Sequence, residues 1–415
     1  MMQGCELIPW HFPVLIYKQV INQIKQLFPA SSWPNIWLVG GTVRDILLDE
    51  PVQDIDLIAA LPPARLESLG FRPVSPVSST PIWFRHTPES GKIEITVIPD
   101  PSQLIHDLLR RDFTFNALAM NLERGLIDPL GGQTDLAARQ LRVCSGSALQ
   151  HDPIRIFRAF RFAADGWCLH PETRQQLALR EWDTALAAIP VERFSRELQK
   201  ALARRQPERF FMLMLQFRTG ACYLPELFRM PDVPAGPLQY HPEGDLFTHS
   251  LQVMQRVAAK TSDQLARFCG LFHDLGKLST DPCHYPKHHG HDEAGFLPAQ
   301  ELCKRLRLPA AWQQALSWTC RLHTKANNWD ELRTTTRIRL AQHAAKAGIA
   351  EILPLVSSAD KPDGSSMSGW EKVLQVNAMT TAELDIDQEA FAQMPIHHRA
   401  NHILHKRIQK VREIS

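Results

Sequence analysis

The sequence predicts an α+β chain, a small mixed sheet near the N-terminus followed by helices almost to the end. Three observations carry that expectation. Short apolar runs broken by Pro, Ser and Gly lie between Trp37 and Val143, as the strands of a small sheet do. From Pro153 onward the apolar spacing turns helical. A length of 415 residues allows several domains, each with a core of its own.

Taken in order, Val14 to Phe28 has apolar residues at helical spacing and predicts a helix packed on the sheet region. Ile36 to Val39 reads as a buried strand that breaks into Gly40-Gly41, and a helical segment follows around Arg44 to Leu48. A glycine pair between strand and helix lets the backbone approach a phosphate. The next strand carries Asp54 and Asp56, which alternation places on one face. Two adjacent carboxylates repel unless a cation sits between them, and hard oxygen ligands suit Mg²⁺ held together with phosphates. Phe71 to Val77, Ile82 to Phe84 and Ile93 to Ile98 read as further strands, the last offering Glu94 as a third carboxylate.

The run His106 to Met120 (HDLLRRDFTFNALAM) sets Arg110, Arg111 and Asp112 before an apolar segment holding Asn116. Arginines there can fork onto triphosphate oxygens, and Asn116 can bond a sugar or base. A helix start with Asp112 as its cap accounts for the same residues. Asp152 and Arg155, three residues apart in DPIRIFRAFRF, are expected to share a helix face. Side by side they would imitate a base edge, selecting cytosine or adenine by the exocyclic amine. A capped helix with a local ion pair is the plainer reading. The prolines between Pro231 and Pro242 mark a domain boundary. Beyond it, His249 precedes His273-Asp274-Leu275-Gly276-Lys277, His288-His289-Gly290-His291, His323 and Asp360. A distant His, an adjacent His-Asp and a later Asp form a mixed imidazole and carboxylate set suited to a transition divalent ion that activates water.

The net charge of +2 excludes a generally basic protein, although Lys and Arg gather between Arg155 and Arg209 as for an anionic partner on one face. The eight cysteines form no CxxC pair, so reduced thiols are expected rather than a disulfide frame or a zinc site. No apolar run is long enough to span a membrane, and no signal peptide is seen, so a cytoplasmic location is expected.

The signature G-G-x-x-R-D with the later D-x-D matches the nucleotidyltransferase superfamily shared with DNA polymerase beta. From Leu38 to Asp360 the ordered pieces resemble the bacterial class II tRNA nucleotidyltransferases, the CCA-adding enzymes and their CC-adding and A-adding relatives. The resemblance implies a polymerase-beta-like head at 36–145 after an extension at 1–35. An all-α neck and body at 146–230, an HD domain at 231–365 and a tail at 366–415 follow. It makes Asp54 and Asp56 the Mg²⁺ carboxylates, and Gly40, Gly41 and Arg44 the phosphate site. Arg110, Asp112 and Asn116 become the second nucleotide motif, and Asp152 and Arg155 the base-reading template, with Arg158 and Arg161 beside them. Arg193 and Arg196 become nucleotide or tRNA contacts, and His249, His273, Asp274, His288, His289 and Asp360 the HD metal ligands.

Two departures bear on the product. His151 stands where the family has Glu before the template Asp, and Ile93 to Ile98 runs almost directly into the Asp107 region, without the Arg-, Gly- and Ser-rich loop of full CCA-adding members. The resemblance therefore implies addition of two cytidines to tRNA from CTP, with a separate A-adding partner. The alternative is full CCA addition from CTP and ATP. A poly(A) polymerase shares the head but usually lacks an HD half. A reading of another class is an HD phosphohydrolase with an RNA-binding head. In gammaproteobacterial members the HD half resembles a phosphatase and 2′,3′-cyclic phosphodiesterase on RNA ends. The basic C-terminal helix from Pro395 to Ser415 is either a phosphate contact or a solvated helix.

Overall fold

The computed structural model describes residues 14–74, 82–87, 91–123, 125–361 and 366–414. Cys5, residues 1–13 of the expected extension and residues 75–77 of the expected strand after Phe71 lie outside them. The described chain divides into two compact units, residues 1–155 with 167–180, and residues 156–166 with 181–415. Residues 231–242 fall inside the second.

The first unit is built on a seven-stranded mixed sheet in the order β3-β4-β5-β2-β1-β6-β7. In sequence the strands are β1 (Ile36–Val39), β2 (Ile55–Ala59), β3 (Arg72–Pro73), β4 (Ile82–Thr87), β5 (Gly91–Val97), β6 (Ala119–Asn121) and β7 (Leu126–Ile127). Central β1 is buried on both faces, as its unbroken apolar run requires. It pairs antiparallel with β2 and β6, whereas β2 pairs parallel with β5. Trp37, Ile58 and Ile98 pack on Leu104 and Leu108, so helix Leu104–Leu109 covers the face that Ile58 shares with Asp56. The two leucines are four apart on one helical face, while Ile105 and Leu109 stay exposed. Helix Val14–Leu27 buries Tyr17, Val20, Ile21 and Ile24, the spacing of a single apolar stripe.

The second unit is helical. Its neck packs Phe157 and Phe160 of helix Arg155–Ala163 with Phe194, Phe210 and Tyr223, ring centroids lying 4.4–6.4 Å apart. The HD region gathers helices Leu246–Lys260, Gln264–Phe272, Ala310–Asn327 and Ile352–Asp360. In the final helix, Ile396–Ile414, the basic side chains are largely occupied nearby: Arg399 on Met394 and Ala392 carbonyls, Lys406 on the Asp385 carbonyl, Arg407 on that of Asn377. Among the described residues no helix is long and apolar enough to cross a membrane, and the seven described cysteines are free thiols.

Candidate nucleotide and metal sites

The strand–turn–helix that opens the first unit forms as the glycines suggest. Gly40 takes φ +60°, and a Cβ there would lie 2.6 Å from an Arg111 guanidinium nitrogen, so only glycine leaves room for that side chain. Helix Gly41–Leu47 follows. Buried Thr42 ties the turn to the carboxylates, its Oγ1 accepting the Asp56 amide at 2.7 Å. Asp54 stands just before β2 rather than within it, and is exposed. Asp56 lies on β2 directly beside Glu94 of β5. Burial pushes the Asp56 carboxyl up from its ordinary range; Glu94 and Asp54 push the same way, and Arg111 and Arg44 oppose them. Lys92 partly relieves the cluster by an ion pair with Glu94 at 2.5 Å.

Arg44 bonds Asp45 and the Asn116 side chain, and Asn116 in turn donates to Asp112 at 3.0 Å, so the two sequence motifs form one network. Arg110 caps the end of helix Leu104–Leu109 and is exposed; Arg111, held by Asp107 four residues back, is the one brought over Gly40 and Asp56. Sequence reasoning named Arg110 for the site; the Asp107–Arg111 spacing was the signal for its neighbour. Asp112 does not cap a helix start. It is buried after one, and Thr114–Asn116 forms only a 3₁₀ turn.

Asp152 and Arg155 do not share a helical face. Asp152 is extended past the short helix Ala148–His151, and the helix bearing Arg155 begins three residues later. The Arg155 guanidinium donates to the carbonyls of Arg110 at 2.7 Å, Ala148 at 3.1 Å and Arg111 at 3.2 Å, fixing both segments around it. Arg158 and Arg161 fall in the second unit. There Arg161 is buried in a 2.6 Å ion pair with Glu197, which removes it from an open surface. Arg196 is exposed on helix Val191–Leu202, its guanidinium turned to the Glu192 carbonyl, and Arg193 lies on the same helix.

In the HD region the His273-Asp274 pair sits past the end of helix Gln264–Phe272 rather than on it. His249, His273, Asp274 and Asp360 converge as four buried ligand atoms. A second set, Asp274, His291 and His323, shares the aspartate. Asp274 Oδ2 lies 3.2 Å from His273 Nε2 and 3.4 Å from His249 Nε2, and Asp360 Oδ1 lies 3.0 Å from His249 Nε2. Asp274 Oδ1 faces His291 at 3.2 Å and His323 at 3.1 Å without the alignment of a hydrogen bond. Gly276 allows the approach of the His291 segment, since a Cβ there would meet the His291 carbonyl at 1.9 Å.

All four rings are oriented through Nδ1. His273, His291 and His323 give it to the carbonyls of Gly270, His288 and Cys320 at 2.7–2.9 Å; His249 gives it to Glu243 at 2.6 Å. These acceptors assign the proton to Nδ1 and leave four Nε2 atoms facing two carboxylates. Burial lowers the His273 pKa, but Asp274 and Asp360 outweigh it and lift it to about 9. Despite their burial both aspartates are held well below the carboxylate range, Asp274 by Lys277 and then His273 and His249, and Asp360 by His249 and His273.

His288 and His289, expected as ligands, are not brought to this cluster. His288 spends its ring nitrogens on Thr280 Oγ1 and the Pro234 carbonyl, and His289 is exposed. Their places are taken by His291 and His323, which the sequence offered only as further candidates.

Comparison with known proteins agrees with this division of labour. Residues 80–142 match the family described as the Poly A polymerase head domain, and residues 246–361 match the HD domain. The multifunctional CCA protein of Nitrosococcus oceani is 40% identical over 325 residues, which span 74% of this chain and 78% of that protein. That of Hahella chejuensis is 35% identical over 355 residues, 81% and 83% of the two. A Thermotoga maritima CCA-adding enzyme complexed with tRNA aligns over 98% of this chain and 95% of its own, at a TM-score of 0.64 and 19% identity. A Bacillus stearothermophilus CCA-adding enzyme in complex with CTP aligns over 91% and 85%, at 0.60 and 22%. At those identities the two structures speak for the fold alone, a mixed-sheet head followed by a helical body.

Proposed function

Because the chain belongs to the multifunctional CCA protein family of tRNA nucleotidyltransferases, we propose that it adds C, C and A to tRNA 3′ ends from CTP and ATP without a nucleic-acid template. The observation that carries this is Asp54, Asp56 and Glu94 placed together beside Gly40-Gly41, Arg44 and Arg111. Three neighbouring carboxylates, with Asp56 raised by burial and by the other two, fit Mg²⁺ by their chemistry, and the two arginines fit triphosphate oxygens. Bound there, Mg²⁺ would supply activation of the tRNA 3′-hydroxyl and neutralise the departing pyrophosphate. The chain's own part is to align the in-line attack: Arg44 and Arg111 hold the phosphates, Asn116 and Asp112 the sugar, and Asp152 the base edge, with Arg155 fixing the two chain segments beside it. This reading keeps the functional division 36–145, 146–230, 231–365 and 366–415 and a cytoplasmic enzyme working on free tRNA.

The names of the relatives favour complete CCA addition over the CC-only product that the sequence implied. One observation supports the narrower product as a second reading: β5 ends at Val97 and the next α-helix begins at Leu104, so the connection between these two elements is short. Two tRNA transcripts, one ending at the discriminator base and one in CC, separate the two when incubated with Mg²⁺ and CTP, ATP or both. A terminal A on both establishes full CCA addition. Two cytidines on the first and no ATP use on the second require a separate A-adding partner.

For the HD region we propose a divalent-metal phosphohydrolase acting on RNA 3′ ends. Four Nε2 atoms and two carboxylates, with Asp274 Oδ1 buried and unbonded, are a donor set that fits a transition ion in each ligand group. Such an ion supplies an activated water against a phosphoester.

A further inference from the structure

The segment between Val233 and Leu246 supplies His241 and Glu243, which with His249 form a third cluster of ligand atoms, and it is wired to both sides of the HD cluster. Its base is closed by backbone hydrogen bonds from Ala235 to Gly244 at 2.9 Å and from Leu246 to Val233 at 2.8 Å. Lys277, ion-paired to Asp274 at 2.7 Å, also donates to the Ala235 carbonyl at 2.6 Å. His288 anchors the Pro234 carbonyl at 2.8 Å. At the far end of the loop, one oxygen of Glu243 receives Nδ1 of His249 at 2.6 Å and Nδ1 of His241 at 3.0 Å. The His241 ring stands edge-on to His249 with centroids 4.9 Å apart. Gly236 makes space for it, since a Cβ would lie 2.3 Å from that ring.

We infer that Glu243 is the positioning residue of the HD centre: its carboxylate, buttressed by His241, fixes the ring of His249 and strengthens Nε2 as a ligand. The inference rests on the reading of the cluster as a metal site. Its basis is an asymmetry. Three of the four inward histidines lean on neutral carbonyls of their own helix or turn, and only His249 leans on a charged group. A carboxylate on the remote nitrogen fixes tautomer and orientation and makes the ring a stronger donor; removing such a partner weakens a metal by about 10- to 100-fold. Glu243 stays outside the ligand shell because the oxygen nearest His249 faces Nδ1, the nitrogen turned away from Asp274 and Asp360. His288 thereby gains a role as an anchor of the loop rather than a ligand.

The test uses the full-length protein stripped of metal and loaded with Co²⁺, whose visible spectrum reports the ligand field. Affinity is read by chelator competition for the unaltered chain, Glu243→Gln, His241→Gln and Asp274→Asn. The expected result is Co²⁺ bound about 10- to 100-fold more weakly by Glu243→Gln with a changed spectrum, and a smaller loss in the same direction for His241→Gln. The second variant leaves the Glu243–His249 contact in place and so covers a failure of the first to fold. Unaltered affinity and spectrum in both variants overturn the role of Glu243 while leaving the metal site standing. Co²⁺ binding by the unaltered chain that Asp274→Asn does not diminish overturns the metal site, and the inference with it.

Discussion

The head and the HD region both bring carboxylates together, and they do so in opposite ways. In the head, Asp54 is exposed, Asp56 and Glu94 sit on neighbouring strands, and Arg44, Arg111 and Lys92 stand beside them. In the HD region the aspartates and three of the four histidines are buried, each ring tethered through its outer nitrogen. A strand pair that offers half a coordination shell suits an ion arriving with its substrate's phosphates. A shell completed by helix ends and turns suits an ion that stays through many turnovers. The contrast teaches that two clusters of carboxylates can be neutralised by different neighbours, open arginines in one and buried imidazoles in the other.

The sharpest break of this comparison is a crossed pair of variants. Asp56→Ala is expected to lower nucleotide incorporation by at least about 10³-fold, since the metal's several kcal/mol of charge stabilisation are lost, with phosphoester hydrolysis retained. Asp274→Asn should do the reverse, and radiolabelled incorporation beside phosphate release reads both. Loss of both activities in either variant would show the two centres are not separable.

Next in size is metal-linked stability. At a hundred times its dissociation constant, an ion bound only by the folded chain adds about 2.7 kcal/mol. A transition ion should raise the melting temperature of the metal-stripped protein and do nothing for Asp274→Asn, whereas Mg²⁺ without nucleotide should have little effect through the open head.

Gly40→Ala tests the head alone. The positive φ and the 2.6 Å approach to Arg111 predict a loss of about 2 kcal/mol in chemical denaturation, together with a raised KM for CTP as Arg111 is displaced.

The smallest effect is one of pH. Asp56 binds its proton more tightly folded than unfolded, because burial raises its pKa. Apo stability should therefore decline as pH rises from the ordinary carboxylate range through that raised value, and level off above it. Asp56→Asn should remove that slope in urea titrations between pH 4 and neutrality, where about 4 is the reference for the free acid. A slope unchanged by the substitution would assign it to other groups.

Much of the head was legible because its signals are local. Gly-Gly between an apolar run and a helix, and two acids on a strand, each fix geometry within a few residues. Asp56 and Glu94 meet as strand order requires, and Asp54 joins them from the turn just before β2. The choice between adjacent candidates was not local. Arg111 and not Arg110 reaches Asp56, because the helix ends at Leu109 and Asp107 pairs with the former. His291 and not His288 or His289 turns inward, because contacts from Pro234 and Thr280 claim His288. Asp152 left the expected helical face because the helix starts at Arg155. Glu243 had a signal that went unused, an acid six residues before His249 in a turn-rich HPEG segment. Its partner could be recognised only once the loop was seen folded back.

Arg155 has a consequence for the stiffness of the head. With three hydrogen bonds to main-chain oxygens around it, its side chain is a pin between two chain segments and has already surrendered most of the roughly 2 kcal/mol of rotamer entropy that an arginine carries. Taking the pin away would leave three carbonyls to find other donors, at about 1–3 kcal/mol for each one left buried and unpaired, so this part of the head owes its stiffness to a side chain locked during folding.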